Sequence, residues 1–106
     1  MDSVNLYRVI FSDRAAEMLV QHVRYMAQVN VQAAENLRAE IIEDAKSLQS
    51  MPERNMWLTD QALPANKYRK MLVCKRYLMV YQIKRDVVYI EYVVDCRQDY
   101  QWLLYN

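Results

Sequence analysis

The chain has 106 residues, 54% of them hydrophobic, and a formal net charge of +1. That is a single domain over residues 1–106, with enough apolar chain for one modest core, which excludes a disordered polypeptide. No uninterrupted apolar run is long enough to span a bilayer. The start, Met1-Asp2-Ser3-Val4-Asn5, lacks a basic region followed by an apolar one, so the expectation is a cytoplasmic protein without a secretory signal.

Residues 4–11 alternate Tyr7, Val9 and Phe11 with Leu6 and Ile10 and predict a first strand, apolar on both sides and therefore well covered. Ser12 or Asp13 can cap the helix that follows, over residues 13–28, whose stripe is Ala16, Leu19, Val23, Met26 and Ala27. Asn30 breaks that pattern and caps a second helix over 31–49, with the stripe Ala34, Leu37, Ile41, Ala45 and Leu48. Two such stripes joined by a short turn describe an αα-hairpin. His22, the one histidine, borders the first stripe without a partner motif and reads as structural. Met51-Pro52 ends the second helix, and residues 53–66 have no assignable pattern beyond Trp57 and Leu58 as anchors. The chain has no glycine, so Asn and Asp are the residues expected at left-handed turn positions.

Residues 67–75, 77–84 and 87–95 are rich in Tyr, Val, Ile and Leu and are separated by short charged joints, which predicts a three-stranded antiparallel meander. With Arg85-Asp86 as a two-residue loop, Ile83 faces Val88, Tyr81 faces Ile90, Met79 faces Tyr92 and Tyr77 faces Val94, an apolar face throughout. The same treatment of Lys75-Arg76 places Leu72 and Tyr68 on that face. The opposite, polar face then carries Lys67, Arg69, Gln82, Lys84, Tyr89 and Glu91, and by parity Asp95 and Arg97. The fold class is α+β: an N-terminal strand, an αα-hairpin, the meander, and a short tail or helical turn over 98–105.

Cys74 and Cys96 fall two strands apart, roughly 9.5 Å, beyond the reach of about 7 Å that a disulfide allows. Both read as small buried residues, and no further ligands stand ready for a metal, so neither metal nor cofactor is expected. Between residues 67 and 85 lie Lys67, Arg69, Lys70, Lys75, Arg76, Lys84 and Arg85 with no acid. This run reads either as solvated edge charge or as a patch for a polyanion or an acidic partner.

The order strand, αα-hairpin, meander resembles the RelE/ParE superfamily of bacterial toxin–antitoxin (plasmid stabilisation) toxins. Tyr68-Arg69-Lys70, the hairpin Tyr77-Leu78-Met79-Val80-Tyr81-Gln82-Ile83, the helix exit Leu48…Met51-Pro52 and the ending Arg97-Gln98-Asp99-Tyr100 carry the likeness. It implies a growth-inhibiting toxin silenced by a cognate antitoxin that wraps over its surface. RelE-like members are ribosome-dependent, metal-independent mRNA endoribonucleases. In that mode Arg97 and Tyr100 would be the catalytic candidates, with Lys67 and Arg69 on the RNA backbone and Gln82, Lys84, Tyr89 and Glu91 on the same RNA- or partner-binding face. ParE-like members poison DNA gyrase instead. Where RelE-like nucleases place an arginine after the hairpin tyrosine, this chain has Leu78, which cannot bind phosphate or stabilise a phosphorane. The resemblance therefore implies ParE-like action on a protein, with the ribosomal nuclease and a non-toxic interaction module as alternatives. Arg97 could instead pair with Asp95 or Asp99, and Tyr100 could pack beneath the tail.

Overall fold

The computed structural model describes residues 6–59 and 63–97. The predicted tail over 98–105, and Tyr100 with it, lies outside the described residues. The elements run β1 (Arg8–Phe11), α1 (Asp13–Ala27), α2 (Val31–Ser47), a 3-10 turn at Pro52–Arg54, β2 (Arg69–Val73), β3 (Tyr77–Lys84) and β4 (Val87–Asp95). The sheet order is β1-β4-β3-β2, with β1 parallel to β4 and the meander antiparallel. The α+β class and the αα-hairpin are as expected.

Both helices begin at the caps that the sequence marks. Ser12 Oγ accepts from Ala15 N at 3.0 Å and Asn30 Oδ1 accepts from Ala33 N at 2.9 Å, each meeting an amide with no partner inside its own helix. Arg54 closes the far end of α2 by donating to the carbonyls of Ser47, Ser50 and Met51. The α2 stripe is buried in full. On α1 Leu19, Val23, Met26 and Ala27 turn inward as expected, but Ala15 is buried in place of Ala16, which is exposed.

The main core lies between the helices and one face of the sheet. Ala15, Leu19, Leu37, Ile41, Ala45 and Leu48 meet Val73, Tyr77, Met79, Tyr81, Val88, Ile90 and Val93, with Val9 and Phe11 packed alongside. Fully burying a side chain such as Ile41 contributes about 2 kcal/mol. Tyr81 is buried with its hydroxyl satisfied: it donates to Pro52 O at 2.7 Å and accepts from Asn55 Nδ2 at 3.0 Å, which pins the 3-10 turn to the sheet.

Several expectations are corrected. β1 is an edge strand, not an enclosed one; residues 6–7 precede it, and Leu6 is 57% exposed. β2 is shorter than residues 67–75. Its register with β3 is displaced by one residue, because Cys74 and Lys75 both take left-handed conformations (φ 54° and 64°) and widen the turn. Met71 and Val73 consequently face the core, while Leu72 is exposed and Tyr68 packs on the opposite side. Among the described residues the left-handed positions are Met51, Asn66, Cys74, Lys75 and Arg85, and only one of these is Asn or Asp. Cys74 is half-buried and Cys96 exposed, and they are not bonded to each other. The unassigned connector adds a short ribbon beside β2: Trp57 bridges Arg69, Leu58 N donates to Tyr68 O and Lys70 N to Met56 O.

A β-bulge shapes everything downstream of it. From the Arg85-Asp86 turn the β3–β4 register is the expected one as far as Tyr81↔Ile90. It then shifts, so that Val80 faces Tyr92, Leu78 faces Val94 and Tyr77 faces Asp95. Glu91 is the additional residue. The shift turns Tyr92 and Val94 away from the core face, where they were expected, and brings Val93 and Asp95 onto it.

Candidate functional site

The basic run does not form one patch. Lys75 and Arg76 sit at the β2–β3 turn, Lys84 and Arg85 at the other end of β3, roughly 23 Å of strand away. Arg69 lies on the helix side of the sheet, across from Tyr81, not on the polar face. Its guanidinium stacks 3.7 Å from the Trp57 ring and donates to Glu53 O at 3.0 Å and Asn55 O at 2.7 Å. It is a strut for the connector. Lys67 is exposed, 5.2 Å from the Tyr68 ring.

The expected open polar face is only half there. Gln82, Lys84, Tyr89 and Glu91 do share a side: Gln82 Nε2 donates to Glu91 Oε2 at 2.7 Å and Lys84 lies 5.9 Å from the Tyr89 ring. Gln82 is buried, however, and the rest of that side is a second apolar cluster. Leu78, Val80, Tyr92 and Val94 are buried there beneath Leu58, Leu63 and Tyr68. Leu78, 7% exposed, is thus a packing residue.

Arg97 is displaced by the bulge. Asp95 points to the helix side, and Arg97 follows it. Arg97 Nε donates to Asp95 Oδ1 at 3.2 Å and Nη2 to Oδ2 at 3.0 Å, a bidentate fork reinforced by the Arg97 amide at 2.9 Å. Arg76 Nη2 stands 3.7 Å from the same carboxylate, and its guanidinium lies 5.0 Å from the Tyr77 ring centre. The Arg97 hydrogen bonds hold the Asp95 carboxyl below its ordinary pKa against the opposing effect of burial. The pairing with Asp95 anticipated as an alternative for Arg97 is the one present. Arg97 is therefore separated from Gln82, Lys84 and Glu91 by the thickness of the sheet.

What the bulge builds instead is a cleft of about 540 Å³ lined by Gln21, His22, Tyr25, Tyr77, Asp95 and Arg97. His22 forms part of its wall. β1 ends at Phe11, and beyond it the outer edge of β4 is covered by α1. Ser12 Oγ donates to Glu91 O at 3.3 Å, and His22 Nε2 stands 2.7 Å from Val93 O, which assigns the proton to Nε2. The ring tilts against Tyr77 at 4.9 Å. Burial raises the pKa of the Tyr77 hydroxyl. Among the described residues no cluster of His, Cys, Asp and Glu could hold a metal, and no helix is long and apolar enough to cross a membrane. Cys74 donates to Glu40 at 3.1 Å, and its thiol is pushed up to about 12, first by burial and then by that bond, so it is inert as a nucleophile at neutral pH.

The profile of a family described as the ParE toxin of the type II toxin–antitoxin system parDE matches residues 9–100. The chain belongs to the ParE toxin family. Among solved structures, a chain described as the chromosomal ParDE TA system from P. aeruginosa has the same fold, with a TM-score of 0.70 at 14% identity over 87% of this chain and 98% of that one. By sequence alone, no curated protein matches. The family membership makes this chain the toxin component of a type II module, and a cognate antitoxin its partner. In this ParE toxin the cleft residues Gln21 and Tyr25 were not singled out from sequence, and Asp95 was expected on the opposite face. The signal that could have found them was the bulge, and Glu91 sits between Ile90 and Tyr92 without a glycine or other break to announce it.

Proposed function

We propose that this toxin acts as ParE does, by binding a protein target, DNA gyrase, in the cytoplasm, and that its antitoxin silences it by covering that surface. The observation that carries this reading is the position of Leu78. Where a RelE-like nuclease needs a cation, Leu78 is buried under Leu58, Leu63 and Tyr68. Arg69 is engaged on Trp57 and Arg97 on Asp95, the latter on the other side of the sheet. Of the cations beside Leu78, Lys70 and Arg54, the second is bound to the carbonyls of Ser47, Ser50 and Met51. A phosphorane needs charges that converge on one point, and among the described residues these do not.

The test is to induce the chain alone and pulse-label DNA and protein synthesis, then to assay the purified protein on gyrase supercoiling of relaxed plasmid. An early fall in DNA synthesis with inhibited supercoiling is expected. Transcript cleavage at the ribosome with DNA synthesis continuing would transfer the assignment to the nuclease mode. Normal growth with soluble protein would leave a non-toxic interaction module.

A further inference from the structure

We infer that the cleft between the end of β4 and the C-terminal half of α1 receives an acidic segment of the antitoxin, with Arg97 as the carboxylate-binding group. This inference rests on the toxin–antitoxin reading and names a contact within it.

The argument starts from the charge arrangement. Asp95 is 6% exposed and is flanked by Arg97 and Arg76, so the cluster keeps one positive charge in excess. The Arg97 side chain is 58% exposed. Asp95 engages Nε and Nη2 and leaves Nη1 without a partner among the described residues. A guanidinium held on one edge by a buried carboxylate presents its other edge in a fixed direction. A second carboxylate can then bind with little further loss of side-chain freedom. Behind it, Arg76 Nε is buried without a hydrogen-bond partner, so the positive charge there is incompletely satisfied.

The walls favour a polypeptide over a nucleic acid. Tyr25 lines the cleft and is 65% exposed, an amphipathic aromatic of the kind that anchors peptide segments. Gln21 lies one turn before it on the same helix face and can meet a backbone amide or carbonyl. One excess charge suits a single carboxylate. A polyphosphate chain would meet Asp95 itself and too few cations for the counterion release on which such binding depends. Of the two protein partners, the antitoxin is the one that family membership establishes.

The experiment measures the affinity of the purified, full-length cognate antitoxin for the toxin and its variants by titration calorimetry at low and high salt. Circular dichroism checks the fold of each variant. Arg97→Gln should weaken binding roughly tenfold at low salt, and the difference should shrink as salt rises. Arg97→Lys should recover part of the loss. Arg97→Glu should weaken binding further and be rescued by an Asp or Glu to Lys change in the antitoxin. Tyr25→Ala should weaken binding without a salt dependence. Unchanged affinity for Arg97→Gln overturns the inference, as does a loss equal at both salts. Binding of a single-stranded RNA oligonucleotide that Arg97→Gln abolishes, with antitoxin affinity intact, would assign the cleft to RNA and overturn it equally. Growth arrest is read separately. Failure of the wild-type chain to arrest growth would remove the toxin reading, whereas the affinity series alone decides the cleft.

Discussion

Asp95 stands directly across from Tyr77, the last pair of β3 and β4, and this places a carboxylate on the helix side of the sheet. Its two oxygens serve the Arg97 fork and face Arg76 at 3.7 Å. A buried carboxylate in that position persists only because it is paired.

The pairing makes stability depend on pH in a defined direction. The Arg97 hydrogen bonds place the folded pKa of Asp95 below its unfolded value. The unfolded chain therefore binds the proton more readily. The stabilisation is fully present above the unfolded pKa, about 4, and is lost as pH falls through the folded value. Urea unfolding between pH 6 and pH 2.5 should show this decline, and Asp95→Asn should flatten it while lowering stability at neutral pH. An unaltered pH slope in Asp95→Asn would mean that other carboxylates set the acid limit.

His22 closes the part of the β4 edge that β1 is too short to cover. Its Nε2 donates to the Val93 carbonyl at 2.7 Å, an acceptor on the strand edge that β1 leaves uncovered. His22→Ala should cost about 1 kcal/mol for the lost bond, with additional loss of contact to Tyr77. Amide exchange should accelerate at the end of β4 before it does at Val88 or Ile90. Uniform exchange across β4 would show that His22 contributes packing and not edge closure.

The fold was legible where local chemistry is decisive. Ser12 and Asn30 cap the helices, the stripe of α2 is buried as its period requires, and the Arg85-Asp86 turn sets the first four pairs of the hairpin. It was illegible where the backbone departs from the residue types that usually announce a departure. Cys74 and Lys75 take left-handed conformations that glycine or asparagine would have signalled, and that alone moved Arg69 to the other side of the sheet. Glu91 makes a bulge among residues that are good strand formers in either register. The candidate site suffered more than the fold. A one-residue slip leaves a strand a strand but exchanges its faces, and site residues are defined by their face. The family reading survived because it rests on the order of the elements and not on which face a residue takes.

Met51 offers a stability test of the glycine-free sequence. It precedes the 3-10 turn with φ 49°, and its side chain is 70% exposed, so little packing depends on it. A left-handed conformation costs a residue with a Cβ about 1 kcal/mol. Met51→Gly should therefore stabilise the protein by a few tenths to about 1 kcal/mol after the greater flexibility of the unfolded chain is counted. The corresponding rise in Tm is about 2–8 °C for a domain of this size. A fall in Tm would mean that Met51 packs against something in solution that offsets its strain.

Leu78→Arg separates the two modes of action most directly. The substitution restores the cation that a RelE-like site would carry, at a position buried against Leu58, Leu63 and Tyr68. Among the described residues no carboxylate lines the cleft at Leu78, and burying a guanidinium there should cost about 3 kcal/mol or more. The cations beside it are Lys70 and Arg54, and Arg54 is bound to the carbonyls of Ser47, Ser50 and Met51. Arg97 is on the far side of the sheet, and Arg69 is held over Trp57. The variant should be destabilised in urea and should not cleave messenger RNA on translating ribosomes. A folded Leu78→Arg protein that acquires cleavage would show that the remaining constellation is intact in solution, and that Leu78 is the one group lost from a nuclease ancestor.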